Sequence, residues 1–136
     1  MKDNYTYVAI IDEREKGFIN ICFPDFDNAM TCVSRGEDYV TAAQDYLALM
    51  IADMEDTGRT LPEMKTGEYL LEEGQKEIYI NVWMPYHRTK IKEVYVKKTL
   101  TIPLWLDMLA KDNNINFSAT LVRGLKETLG LETGDR

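Results

Sequence analysis

Tyr95-Val96-Lys97-Lys98-Thr99-Leu100-Thr101-Ile102-Pro103 is the stretch on which the reading of this chain turns. Its side chains alternate. Val94, Val96, Leu100 and Ile102 fall on one face and Tyr95, Lys97, Thr99 and Thr101 on the other, the period-two pattern of a short β-strand, with Lys98 interrupting the apolar row. Pro103 suits the first turn of a helix, and Leu104, Trp105, Leu106, Met108 and Leu109 supply an apolar stripe at helical spacing. Asp112-Asn113-Asn114 breaks that pattern. Asn116 then reads as the N-cap of a second helix carrying Phe117, Leu121, Val122, Leu125 and Leu129, closed by the glycine cap Gly130 and its apolar follower Leu131. The predicted order is strand, helix, helix.

A lone strand leaves its backbone donors and acceptors unpaired. Pairing with the same strand of a second copy gives them partners and buries the apolar row. The expected dimer core is Val96, Leu100, Ile102, Trp105, Leu109, Leu121, Val122 and Leu125. The resulting two-stranded ribbon presents Lys97, Thr99 and Thr101 twice on its outer face, and such a ribbon fits the major groove of B-DNA, so these three are the expected base contacts. The helix that starts at Asn116 directs free N–H groups and a positive dipole end toward a phosphate.

Upstream, Arg88, Lys90, Lys92, Lys97 and Lys98 crowd one short region against a single acid, Glu93, and Met84-Pro85 opens it with a proline that ends a strand. The expected organisation is a first lobe over 1–84, a basic linker over 85–93 and a small second domain over 94–136. A domain of that size rarely buries enough apolar surface alone, which again favours a homodimer, or a tetramer if the first lobes also meet. Charge divides at the same place. Met1 to Glu93 holds 10 basic and 18 acidic residues, and Val94 to Arg136 holds 6 and 5.

In the first lobe Tyr5, Tyr7, Ala9 and Ile11 alternate with Thr6, Val8, Ile10 and Asp12 as one strand. Asp12 to Gly17 is a polar turn, Phe18 to Phe23 the returning strand, and Pro24-Asp25 its stop. Thr31-Cys32-Val33 is a short third strand. From Asp38, a suitable N-cap, Tyr39, Ala42, Ala43, Tyr46, Leu47, Leu49, Met50 and Met54 recur at helical spacing; Ser34-Arg35-Gly36-Glu37 is a competing capping box. Thr57-Gly58 ends that helix, and Glu77 to Trp83 alternates as the last strand. The fold class is α+β: a small antiparallel sheet with one packed helix, followed by strand, helix, helix.

The whole chain of 136 residues carries a net charge of −7 and a hydrophobic fraction of 45%, which allows a core and disfavours uniform coating of nucleic acid. No apolar run is long enough to span a membrane, and the opening residues lack a secretory signal, so the cytoplasm is the expected location. Cys22 and Cys32 lack metal-ligand spacing and are expected to be reduced, half-buried thiols. Asp12, Asp25 and Asp27 at strand ends are the one arrangement that suggests metal-dependent nuclease chemistry, yet aspartate after a strand is ordinarily a turn residue. His87, the single histidine, reads as a solvated linker residue with no nucleophile beside it, and phosphate-binding glycine loops are missing. No catalytic residue, cofactor or metal is expected.

Lys97 to Leu131, with Lys-Lys-Thr-Leu-Thr-Ile-Pro, Trp-Leu-Asp, Asn-Phe-Ser and Leu-Lys-Glu-Thr-Leu-Gly-Leu, resembles a ribbon-helix-helix domain of the Arc and MetJ type. The first lobe resembles the HicB antitoxin domain in Tyr5 to Ile10, in Phe23-Pro24-Asp25 and in the helix entry Gly36-Glu37-Asp38; it departs from it at Asp27-Asn28 and in the loop from Gly67 to Gly74. The resemblance implies a partial ribonuclease H-like lobe without that enzyme's active site. It implies a type II antitoxin that neutralises a HicA-type mRNA-cleaving ribonuclease toxin and represses its own operon through operator DNA. Carried over by position, Lys97, Thr99 and Thr101 meet bases, while Lys98, Asn116, Phe117 and Ser118 meet phosphates. An acidic lobe suits a basic RNA-binding toxin. The competing expectation is a stand-alone ribbon-helix-helix repressor whose first lobe senses a small ligand.

Overall fold

The computed structural model describes residues 2–65 and 69–131. It divides into two compact units, 1–95 and 96–136.

The first unit is an α+β lobe. Strands β1 (Asn4–Asp12), β2 (Phe18–Phe23), β3 (Ala29–Ser34) and β4 (Gln75–Trp83) form one antiparallel sheet in the order β3-β2-β1-β4. The alternation in β1 places Tyr7, Ala9 and Ile11 on the side covered by helix α1 (Tyr39–Asp56). There they meet Ile19, Ile21 and Phe23 of β2, Ile80 and Val82 of β4, and Ala43, Leu47, Ala48 and Ile51 of α1. Each buried Val, Leu, Ile or Phe side chain among these contributes roughly 1.5–3 kcal/mol over its exposed state.

Asp38 caps α1, accepting from the N–H of Val40 at 3.0 Å and of Thr41 at 3.2 Å. These bonds hold its carboxyl below the usual carboxylate range, the Thr41 hydroxyl contributing most. The competing start at Ser34 is instead a turn: the Glu37 carboxylate accepts from the Ser34 N–H at 3.1 Å. Gly58 follows the helix in the left-handed region, φ 72°, where a side chain would be strained.

The end of this unit departs from expectation in two places. The region read as a basic linker is a helix, α2 (Met84–Lys92), packed on α1 and β4. Pro85 lies in its first turn, where a proline fits, and Met84 is fully buried. Arg88 fastens the helix by reaching Glu55 at 2.8 and 3.1 Å, Asp3 at 3.2 Å and the Lys2 carbonyl at 2.7 Å. His87 is therefore not a solvated linker residue. Its side chain is only 12% exposed, 4.0 Å from Asp45, and desolvation pushes its pKa down while Asp45 pulls the other way.

The second unit contains helices α3 (Leu104–Asp112) and α4 (Phe117–Leu129). Pro103 is the N-cap residue of α3 rather than part of its first turn. Asn116 caps α4 by accepting from the Ala119 N–H at 3.0 Å, and Gly130 closes it with φ 77°. Residues 94–103, read as a strand, carry no regular secondary structure in the single chain. A strand is defined by its ladder to a neighbour, and β4, the free edge nearest in sequence, already ends at Trp83.

Candidate functional site

The second unit holds an apolar groove of about 790 Å³ that brings together some of its functional candidates. Lys98, Leu100 and Ile102 line it from the non-helical segment, Leu109 from α3, and Phe117, Ser118 and Leu121 from the start of α4. The lining residues of the segment are the even-numbered ones. Lys97, Thr99 and Thr101 are exposed and do not line the groove. Of the expected dimer core, Leu100, Ile102, Leu109 and Leu121 meet there, whereas Val96, Trp105, Val122 and Leu125 lie outside it.

No residue of α3 or α4 is buried. Val96 is 76% exposed, Trp105 63% and Leu125 54%. Leu106, placed on the apolar stripe but not in the expected dimer core, also lines the groove, as do Ala110 and Ile115, which the sequence reading did not single out. The signal for Leu106 and Ala110 was their i, i+4 spacing on α3.

In the first unit the strand-end aspartates serve the scaffold. Asp12 accepts from the Arg14 guanidinium at 2.5–3.1 Å and from Gln75 at 3.1 Å, and Arg14 foremost holds its carboxyl far below the usual range. Arg14 in turn reaches Glu72 at 2.6 Å, joining the β1–β2 turn to the segment before β4. Asp25 accepts from the Tyr69 hydroxyl and from the Lys65 N–H at 3.3 Å. Asp27 has a left-handed backbone, φ 55°, as does Asn28 at 59°. Among the described residues no three His, Cys, Asp or Glu side chains gather as a metal site.

Two open clefts flank Pro62. One, of about 390 Å³, is lined by Asp25, Asp27, Met50, Asp53 and Met54 among others; the second, of about 620 Å³, includes Tyr5, Tyr7 and Glu55. The Tyr7 hydroxyl donates to the Pro62 carbonyl at 2.6 Å, and burial pushes its pKa up to about 12, so it stays protonated. Cys22 is half-buried, with its pKa raised by desolvation, but Cys32 is exposed, contrary to expectation. Their partners in the β2–β3 register are Met30 and Asn20, which sets the thiols diagonally on one face, a spacing of about 7–8 Å between Cα atoms that does not suit a disulfide.

No family model and no curated protein matches the chain. Among solved structures it is similar to a toxin-antitoxin complex from Streptococcus pneumoniae, with a TM-score of 0.52 and 19% identity, over 92% of this chain and 99% of that one. At that identity the likeness is one of fold. Among the described residues no helix is long and apolar enough to cross a membrane.

Proposed function

We propose that this protein is a HicB-type antitoxin of a type II toxin-antitoxin system. Its first unit, a partial ribonuclease H-like lobe, binds and neutralises a HicA-type mRNA-cleaving ribonuclease. Its second unit forms a ribbon-helix-helix homodimer that represses the operon from the cytoplasm, and the chain itself is not an enzyme. The observation that carries this reading is the second unit's helix pair, which buries nothing by itself and keeps an apolar groove flanked by a lysine-bearing segment. A second copy supplies both the missing cover and the strand partner for residues 94–102.

Two further observations support it. The fold likeness to a toxin-antitoxin complex extends over nearly the whole chain. Residues 1–93 hold 18 acids against 10 bases, which favours attraction to a basic, RNA-binding partner. In the dimer Lys97, Thr99 and Thr101 face bases, and Lys98 with Asn116, Phe117 and Ser118 holds phosphates. The clefts beside Pro62 favour the alternative, a stand-alone repressor with a ligand-sensing lobe.

Co-purification with the product of the adjoining reading frame separates the two. An antitoxin captures a small basic ribonuclease and abolishes its cleavage of RNA. A sensor captures none. In a gel shift with the operon's own promoter, Lys97→Ala and Thr99→Ala weaken binding while capture of the ribonuclease survives; an unchanged shift removes the ribbon assignment.

A further inference from the structure

The outer strand of the sheet carries two aromatic rings that the fold does not use. Tyr79 and Trp83 of β4 are 56% and 55% exposed, although each neighbours a core residue in sequence. Strand alternation sets Glu77, Tyr79, Asn81 and Trp83 on one face, opposite Ile80 and Val82, which enter the core beneath α1. At about 3.3 Å per residue the Cα atoms of Tyr79 and Trp83 stand about 13 Å apart.

Three other rings of this unit each have a lysine over their face. Lys2 lies 5.2 Å from the centre of Tyr5, Lys76 5.2 Å from Tyr39 and Lys90 5.6 Å from Tyr86. Tyr79 and Trp83 take part in none of the cation–ring or ring–ring pairs among the described residues. Glu77, on the same stripe, takes part in none of the ion pairs there.

We infer that the stripe Glu77-Tyr79-Asn81-Trp83 is the docking surface for an arginine-bearing face of a basic protein. This inference rests on the antitoxin reading and says where that partner sits. Guanidinium groups stack on Trp and Tyr faces and pair with a carboxylate, and Trp, Tyr and Arg are the residues that most often dominate binding energy. Charge selects this occupant over a second copy, because two lobes that each carry a large acidic excess repel each other. The same excess disfavours nucleic acid, whose bases could otherwise stack on the rings.

The contact is made by side chains rather than by adding a strand. Gln44 of α1 donates to the main-chain carbonyl of Asn81 at 3.0 Å, so the outer edge of β4 is occupied at its middle. The Asn81 side chain donates to the Tyr5 carbonyl at 3.0 Å and the Thr6 hydroxyl at 2.9 Å, which fixes the stripe onto β1.

The test uses the full chain and the basic protein encoded by the adjoining frame, with affinity followed by calorimetry and self-association by sedimentation. The double variant Tyr79→Ala/Trp83→Ala should bind at least about 30-fold more weakly, the fold-change of a single hot spot. Its melting temperature and oligomeric state should match the wild type, and Tyr79→Phe/Trp83→Phe should restore most of the affinity. Equal binding by wild type and double variant overturns the docking surface and leaves the antitoxin reading intact. Loss of self-association instead assigns the stripe to a second copy, and loss of RNA or DNA binding with the protein contact unchanged assigns it to nucleic acid; either overturns the inference. A wild-type chain that captures no basic protein overturns both.

Discussion

The two units of this chain solve the burial problem in opposite ways. The first closes its own core: Phe23, Ile11, Leu47 and Ile51 have no exposed surface, one helix covers the sheet, and α2 is held by Arg88. The second folds two helices, α4 capped at both ends by Asn116 and Gly130, and leaves both without a buried residue. Capping and helix propensity shape an element but do not give it a core. The first unit thus has a core of its own, whereas the helices of the second bury no residue, a difference on which the proposed division between toxin binding and DNA binding as a dimer rests.

The comparison breaks most visibly if the second unit is disrupted. Leu100→Asp with Leu109→Asp places charges in the apolar groove and should abolish both dimer and operator binding, while thermal melting of the first unit is unchanged. Light scattering and gel shift read the two effects. If the variant remains dimeric, the dimer is made by the first unit. The reverse experiment is Phe23→Ala, which should cost about 3–5 kcal/mol in urea unfolding of the first unit and leave dimerisation of the second in place. Smaller again, Lys97→Ala should weaken operator binding by about 1–3 kcal/mol with no change in stability.

The smallest effect comes from His87. The fold disfavours its charged form, chiefly through desolvation, with Asp45 opposing and Lys90 reinforcing. Its folded pKa therefore lies below the unfolded value near about 6.5. The unfolded chain binds more protons in that window, so stability is full above about pH 6.5 and falls as the pH drops toward the folded value. His87→Gln should flatten the melting temperature of the first unit over that interval. The Asp12 and Asp38 carboxyls, also held low, lose their contribution only at more acid pH and should not disturb the comparison.

Much of this was legible where local physics decides. The alternation in β1 and β4, the Asp38 and Asn116 caps and the glycine after α4 each announce themselves in a few residues. The helix α2 did not, because Met84-Pro85 is both a strand stop and a helix start, and its inward side chains, Met84, His87 and Arg88, include a single large apolar one. What fastens it to the lobe is the Glu55 carboxylate that α1 brings up to Arg88, a tertiary contact. The central position of β1 is tertiary as well, since β4 returns to pair with it from more than sixty residues away. In the second unit Lys98, Leu100 and Ile102 reach the groove, as their alternation suggests, while the proposed ribbon rests on a second chain that no single-copy pattern can supply.

The linker reading also misjudged where to cut. A fragment ending at Met84 would discard α2 and expose a fully buried side chain, whereas one ending at Tyr95 keeps the first unit whole. The decisive measurement is RNA cleavage by the adjoining frame's protein in the presence of that 1–95 fragment. The account predicts that cleavage stops at an equimolar amount of fragment, with no help from the second unit. Undiminished cleavage in the presence of both the fragment and the full chain would contradict it.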